Sequence, residues 1–182
     1  MYFLENEIIG LRQLCAKDIE GNYKNWLNDS EVCKYNNHHR FAMSEDSLQK
    51  YIESIQNSKS TMVFAVIHKE KQEHIGNVSL SSIDYINGNA ELAAIIGEKE
   101  YWGQGYTTMA FELLIEQAFK ELRLERLYYG TSSDNKGPQR FAEKLGFQCE
   151  GVRRKAIYKN GEYKDIIEFG LLKEEWINRG KN

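Results

Sequence analysis

Phe111, Leu114, Ile115, Ala118, Phe119 and Leu122 recur at i, i+3, i+4, i+7, i+8 and i+11. A helical turn places that set on one face, and the two-residue period of a strand does not. Just upstream stand the apolar run Leu92-Ala93-Ala94-Ile95-Ile96 and then Gly103-Gln104-Gly105. The chain therefore has to pass from a strand through a glycine turn into a half-buried helix, and every other element must fit around that unit.

Three runs precede the helix. Met62–Ile67, Ile75–Ile83 and Ala90–Ile96 are apolar or alternating and are separated by turn-rich pieces such as Asn87-Gly88-Asn89, as successive antiparallel strands would be. Before them, Ile8–Leu14 reads as a strand and Lys17–Leu27 and Ser44–Ile55 as helices, the second with Ser44 as N-cap and Glu45 and Asp46 in its first turn. After the long helix come a strand, Leu127–Thr131, and a short helix, Gln139–Leu145, stopped by Gly146. A hairpin of Val152–Tyr158 and Asp165–Leu172 then turns at Asn160-Gly161. This order predicts an α+β domain with a mostly antiparallel central sheet and helices on both faces, not a doubly wound nucleotide fold.

At 182 residues, with no repeat and one proline, Pro138, the chain is expected to form a single domain over residues 1–182. Its longest apolar stretches fall far short of the ~20 residues needed to cross a bilayer. Met1–Leu14 shows no basic segment followed by an apolar core, so no membrane partner and no secretion are expected. Cys15, Cys33 and Cys149 lie far apart without a C-x-x-C pair, which argues against a zinc ribbon and a disulfide framework and fits a cytoplasmic setting. Net charge is −3, so a phosphate-tracking nucleic-acid partner is not expected. The charge is uneven: residues 1–125 hold 12 Lys/Arg against 19 Asp/Glu, and residues 126–182 hold 12 against 8. An acidic half could favour a cationic substrate and a basic half an anionic cofactor.

Gly103 and Gly105 permit positive φ and carry no Cβ, so consecutive N–H groups can converge on one anion at the positive end of the helix dipole. A pyrophosphate suits such a concavity, and a purely structural turn into the helix would use the same glycines. The Walker pattern and the dinucleotide fingerprint both fail, the latter at Thr108.

The company this loop keeps is informative. Ala90-Glu91-Leu92, Gly103-Gln104-Gly105-Tyr106, Asn135, Glu143-Lys144-Leu145-Gly146-Phe147 and Glu150-Gly151 together resemble the GNAT family of acetyl-CoA-dependent N-acetyltransferases. Leu11-Arg12, Trp26-Leu27-Asn28-Asp29, Lys159–Asp165 and Leu171–Trp176 extend the likeness to nearly the whole chain, and toward the branch containing the ribosomal-protein alanine acetyltransferases. The resemblance implies the GNAT acyl-CoA N-acyltransferase fold, acetyl-CoA as acetyl donor without a metal, and a primary-amine acceptor, in a monomer or homodimer. It implies that the amides of Trp102, Gly103, Gln104, Gly105, Tyr106, Thr107 and Thr108 bind the CoA pyrophosphate. Asn135 would contact the pantetheine arm, which fills a gap between the Ala90–Ile96 and Leu127–Thr131 strands, and N–H groups near Ile95 and Ile96 would polarise the thioester carbonyl. Glu91 matches the glutamate that often serves as base. The chain departs from the family pattern at Trp102, at Thr107, at Pro138, and at Ala142, where many members carry a tyrosine. A non-catalytic acyl-CoA-binding module is the alternative that Ala142 and Thr107 support.

Acetyl transfer needs a neutral nitrogen, and an alkyl amine with a pKa near ~10.4 is mostly protonated at pH 7, so a base is required. Glu91 stands in an otherwise apolar strand, where burial would raise its pKa toward the useful range. The acceptor is expected to meet the segment Trp26–Phe41, rich in Asn28, Asp29, Glu31, Tyr35, Asn36, Asn37, His38 and His39. Over residues 15–46, Asp18, Glu20, Asp29, Glu31, Glu45 and Asp46 outnumber Lys17, Lys24, Lys34 and Arg40. That favours a cationic or neutral amine, a peptide amino terminus ahead of a polyamine, over an amino-sugar nucleotide. His68 and His74, flanking the turn Lys69–Glu73, and the run Arg153-Arg154-Lys155 are expected to be solvated.

Overall fold

The run Met62–Ile67 has no polar alternation because it is covered on both sides. In the computed structural model, which describes residues 1–179, it forms β3 (Met62–His68), with Val63 to His68 all buried. Phe64 and Val66 face one apolar cluster, and Val63, Ala65 and Ile67 face another. Antiparallel neighbours flank it, β2 (Ile9–Gln13) on one side and β4 (Glu73–Asp84) on the other, with β1 (Leu4–Glu5) at that edge. Next come β5 (Asn89–Ile96), β6 (Arg126–Ser132), β8 (Glu162–Leu172) and the opposite edge strand β7 (Gln148–Lys159), eight strands in the order β1-β2-β3-β4-β5-β6-β8-β7.

The long helix, α3 (Tyr106–Lys120), buries Phe111, Leu114, Ile115, Ala118 and Phe119, while Leu122 lies beyond its end and still packs on the same cluster. α4 (Lys136–Leu145) ends at Gly146, whose φ of 83° is left-handed, with Phe147 N–H donating to Ala142 O at 2.9 Å. α5 (Lys173–Asn178) is tied to α3 by the Trp176 indole, which donates to Glu116 at 2.8 Å. These helices cover one face of the sheet and share the larger cluster.

The other face is covered less regularly. α2 (Glu45–Gln56) forms as expected, Ser44 accepting from the Ser47 N–H at 3.1 Å. The helix expected over Lys17–Leu27 is instead two pieces, a 3-10 turn at Ala16–Ile19 and α1 at Tyr23–Leu27. Asp18 explains the break. It is 5% exposed and is drawn inward to Arg12, with contacts of 2.9 and 2.6 Å, and to the Cys15 N–H at 2.8 Å, which stops the first piece before Gly21-Asn22.

Two irregularities shape the functional end. β5 and β6 pair in parallel for only three residues, Asn89↔Arg126, Ala90↔Leu127 and Glu91↔Tyr128, and then part. In the β7–β8 hairpin, Asn160 (φ 52°) and Gly161 (φ 83°) make the tight turn. The pairing slips between Arg153 and Ile157, where Lys155 takes φ 50° and its N–H is held by the Asp165 carboxylate at 2.8 Å.

Candidate active site

From Ile96 the chain runs through a 3-10 turn (Lys99–Tyr101) into the glycine loop. Gly103 and Gly105 have φ of 74° and 87°, and a Cβ on either would meet nothing within 4 Å. The glycines are thus required by backbone conformation, and the space beside them is open. The first N–H groups of α3 have no acceptor within the helix. Among the described residues, no partner meets the N–H groups from Gly103 to Thr108. A row of free donors at a helix start beside open space suits a pyrophosphate. The Trp102 indole donates to Ile96 O at 2.8 Å, pinning this loop to the end of β5.

Beyond Glu91, β5 has no partner on its β6 side, and Ala93 and Ala94 are exposed. The ladder to β4 is regular from Glu91 to Ile96, and Gly97 N–H donates to Ile75 O at 2.9 Å. Antiparallel alternation therefore turns the main chain of Leu92, Ala94 and Ile96 toward the gap, and that of Ile95 toward β4. The irregularity in this region lies in β4, near Ser82 (φ 51°), and not in β5. Across the gap, Asn135 is the N-cap residue of α4 without capping through its side chain, which leaves its amide free to meet a ligand. Ala142 is buried, and its methyl side chain supplies no general acid.

Glu91 stands where β5 and β6 part. Its side chain points to the α1/α2 face, half-buried, and among the described residues no hydrogen bond or ion pair engages it. Burial pushes its pKa up, Glu168 pushes it further, and Arg153 works against both.

Much of the polar segment expected to line the acceptor site is engaged in closing itself. Trp26 is buried, its indole donating to Glu98 at 3.0 Å, and a Cβ at Gly97 would sit 1.8 Å from its ring. Asn28 bonds Lys24 O and both backbone groups of Met43, and Asp29 caps Glu31 and Val32 and pairs with Lys99. His38 gives its carbonyl to the buried Lys159 at 2.5 Å. The histidines beside the Lys69–Glu73 turn are not solvated. His74 packs edge-on to Trp26 and bonds Gly76 O and Asn77, and His68 lies against Tyr101 and Tyr106. In the basic run, Arg153, Arg154 and Lys155 are all exposed, as expected, and Arg153 also pairs with Glu168 at 2.5 Å. Nothing local in the sequence marks that pair or its nearness to Glu91.

A sheet that opens between two parallel strands, with a glycine-started helix at one end of the opening and an unpaired carboxylate at the other, has the shape and donors that suit an extended phosphorylated ligand. The chain belongs to the GNAT acetyltransferase family: the acetyltransferase (GNAT) domain profile matches residues 9–148. It is 31% identical to the uncharacterized N-acetyltransferase p20 of Bacillus licheniformis, over 97% of this chain and 99% of that one. Over 101 residues, 56% of this chain and 55% of the relative, it is 38% identical to the Bacillus subtilis protein named "Putative ribosomal N-acetyltransferase YdaF". The crystal structure of spermidine N-acetyltransferase from Vibrio cholerae in complex with CoA and spermine superposes with a TM-score of 0.86 at 25% identity, covering 95% of this chain and all of that one. The protein is thus an N-acetyltransferase of mostly antiparallel GNAT fold. No helix among the described residues is long and apolar enough to cross a membrane.

Proposed function

We propose that this single domain, residues 1–182, moves the acetyl group of acetyl-CoA onto a primary amine with Glu91 as base. The observation that carries the reading is the end of β5–β6 pairing at Glu91, which sets an unpaired carboxylate at the apex where the gap begins. Acetyl-CoA supplies the activated acetyl thioester. The N–H groups from Gly103 through Gln104, Gly105, Tyr106 and Thr107 to Thr108 frame the pyrophosphate seat; the Trp102 N–H, expected to join them, is spent on Lys99 O at 3.1 Å, closing the preceding 3-10 turn. Asn135 meets the pantetheine arm, and the N–H of Ile96, in the Ile95-Ile96 pair, donates to the thioester carbonyl oxygen. Glu91 takes the proton that the nitrogen gives up, directly or through water. The N–C bond forms, the C–S bond breaks, and the sulfur leaves as thiolate, which a thiol of pKa near ~8.5 does without an acid in place of Ala142.

For the acceptor we propose a cationic or neutral amine, a peptide amino terminus ahead of a polyamine. The likeness to a protein named for ribosomal acetylation supports the first and the spermidine enzyme supports the second. Thiol release from acetyl-CoA, measured with an alanine-initiated peptide, spermidine and an amino-sugar nucleotide, tests both levels. Release with the peptide or spermidine is expected. Release with the sugar nucleotide alone overturns the acceptor, and release with none of a broad amine panel overturns the function.

A further inference from the structure

We propose that Glu168 is a second carboxylate of the acceptor site, laid across Gly130 and held by Arg153, so that the site selects an amine that arrives as a cation. This deepens the reading above and rests on it. Glu91 pairs with Tyr128 and Glu168 with Gly130, so both glutamates lie on the α1/α2 face while Leu127 and Tyr129 are buried against α3 and α4. A Cβ at Gly130 would stand 3.0 and 3.3 Å from the two Glu168 carboxylate oxygens and 2.8 Å from Ile166. The carboxylate therefore rests on the bare backbone of β6, between its own strand and Glu91.

Arg153, on the free edge strand β7, holds Glu168 through Nε at 2.5 Å with its side chain 65% exposed. Solvent screens so exposed a guanidinium, and it can yield the carboxylate to an incoming ammonium at little cost. The charged groups that act on Glu91 are Glu168 and Arg153, and its ladder neighbours are Ser81 and Tyr128. The other pair on this face, Arg126 with Glu150, is satisfied in itself over Gly170. An arriving ammonium thus meets two carboxylates, one unpaired and one releasable. Losing a first proton to Glu91 leaves the amine free to attack while Glu168 keeps its charge, and the second proton, shed as the amide forms, passes to the departed thiolate or to water. Glu168 also acts on the reaction through Glu91, because a like charge beside it strengthens it as a base.

The test compares Glu168→Gln, Glu168→Asp and Arg153→Gln in the full chain, with thiol release followed at saturating acetyl-CoA and spermidine or an alanine-initiated peptide as probe. Loss of one charge-assisted contact should raise the amine KM about tenfold in Glu168→Gln and leave the acetyl-CoA KM unchanged. The acidic limb of kcat/KM should move to lower pH. Arg153→Gln should move the amine KM and the limb the other way, and Glu168→Asp should recover part of the loss. Displacements in the same direction in Glu168→Gln and Arg153→Gln, or none in Glu168→Gln, overturn the proposal while leaving acetyl transfer standing. Absence of amine-dependent release by the unaltered protein overturns the underlying function instead.

Discussion

The two faces of the sheet are held by different means. On the α3/α4 face, one continuous apolar cluster from Ile9 to Trp176 fixes the helices, and the proposed phosphate seat is made of backbone: two left-handed glycines and the free N–H groups that follow. On the α1/α2 face a smaller cluster is supplemented by polar side chains that reach across the chain, such as Arg12 to Asp18, Trp26 to Glu98 and Lys159 to His38. The proposal thus gives donor binding to main chain on an apolar-packed layer, and the acceptor chemistry to side chains over a layer stitched by polar contacts. If this division is right, changes on one face should leave the function of the other intact.

The sharpest test is Glu91→Gln. Losing a positioned base should lower kcat by about 10²–10⁴-fold, with CoA affinity by calorimetry unchanged. In the unaltered protein, the acidic limb of kcat/KM should lie above the ordinary carboxylate range, because burial and then Glu168 raise the pKa of Glu91. Full activity of the variant across roughly pH 6–9 would move the chemistry to another group. A smaller effect is expected from Asp18→Ala, which strands Arg12: unfolding in urea should show a loss of about 3 kcal/mol, the low end for a buried pair since Arg12 is partly solvated. Burial pushes the Asp18 pKa up, but the Arg12 hydrogen bonds, the Cys15 N–H and the His74 charge outweigh it and leave it lowered. The pair accordingly contributes in full above the unfolded-state value and is lost as pH falls through the lower folded-state value. Unchanged stability of the variant at neutral pH would show that the α1/α2 face is not held by these contacts.

The division also explains what could be read from the sequence. A left-handed backbone position favours glycine, and asparagine next, so Gly103, Gly105, Gly146 and the Asn160-Gly161 turn announce their geometry in their identity, whereas Ser82 and Lys155, also left-handed, do not. The apolar period of α3 does the same for a buried face. The polar side chains of the other face carry no such mark. Asp18 reads as an exposed helical acid until Arg12 and His74 are seen against it, and His74 reads as a turn residue until Trp26 closes over it. Glu168 and Arg153 meet Glu91 only through strand order, because β8 lies beside β6 while β7, earlier in the chain, lies outside it. Local spacing cannot express that exchange. The polar residues of Trp26–Phe41 look like a binding surface because a loop-closing asparagine and a ligand-binding one have the same sequence.

Two variants probe the backbone side. Gly105→Val forces a branched side chain into φ 87°, with a strain of about 1–3 kcal/mol. The loop should relax away from the seat, and CoA affinity should fall about ten- to a hundredfold, with the amine-side chemistry recovered at saturating acetyl-CoA. Unchanged CoA affinity in calorimetry would remove the phosphate role of the loop.

The smallest and most discriminating change is Trp102→Phe. The indole N–H donates to Ile96 O at 2.8 Å while the ring is 40% exposed, so a phenyl ring keeps most of the apolar contact and removes one hydrogen bond. Such a bond is worth about 1 kcal/mol, or roughly fivefold in CoA affinity. It ties the phosphate seat to the strand end whose main chain faces the gap, so its loss should weaken CoA by up to that factor, lower the melting temperature by no more than about 2–4 °C, and leave the amine KM unchanged. A variant with altered amine KM and intact CoA affinity would mean that the loop reaches the acceptor face through Ile96. The separation of donor binding from acceptor chemistry would then fail at the residue where the backbone seat and the side-chain site touch.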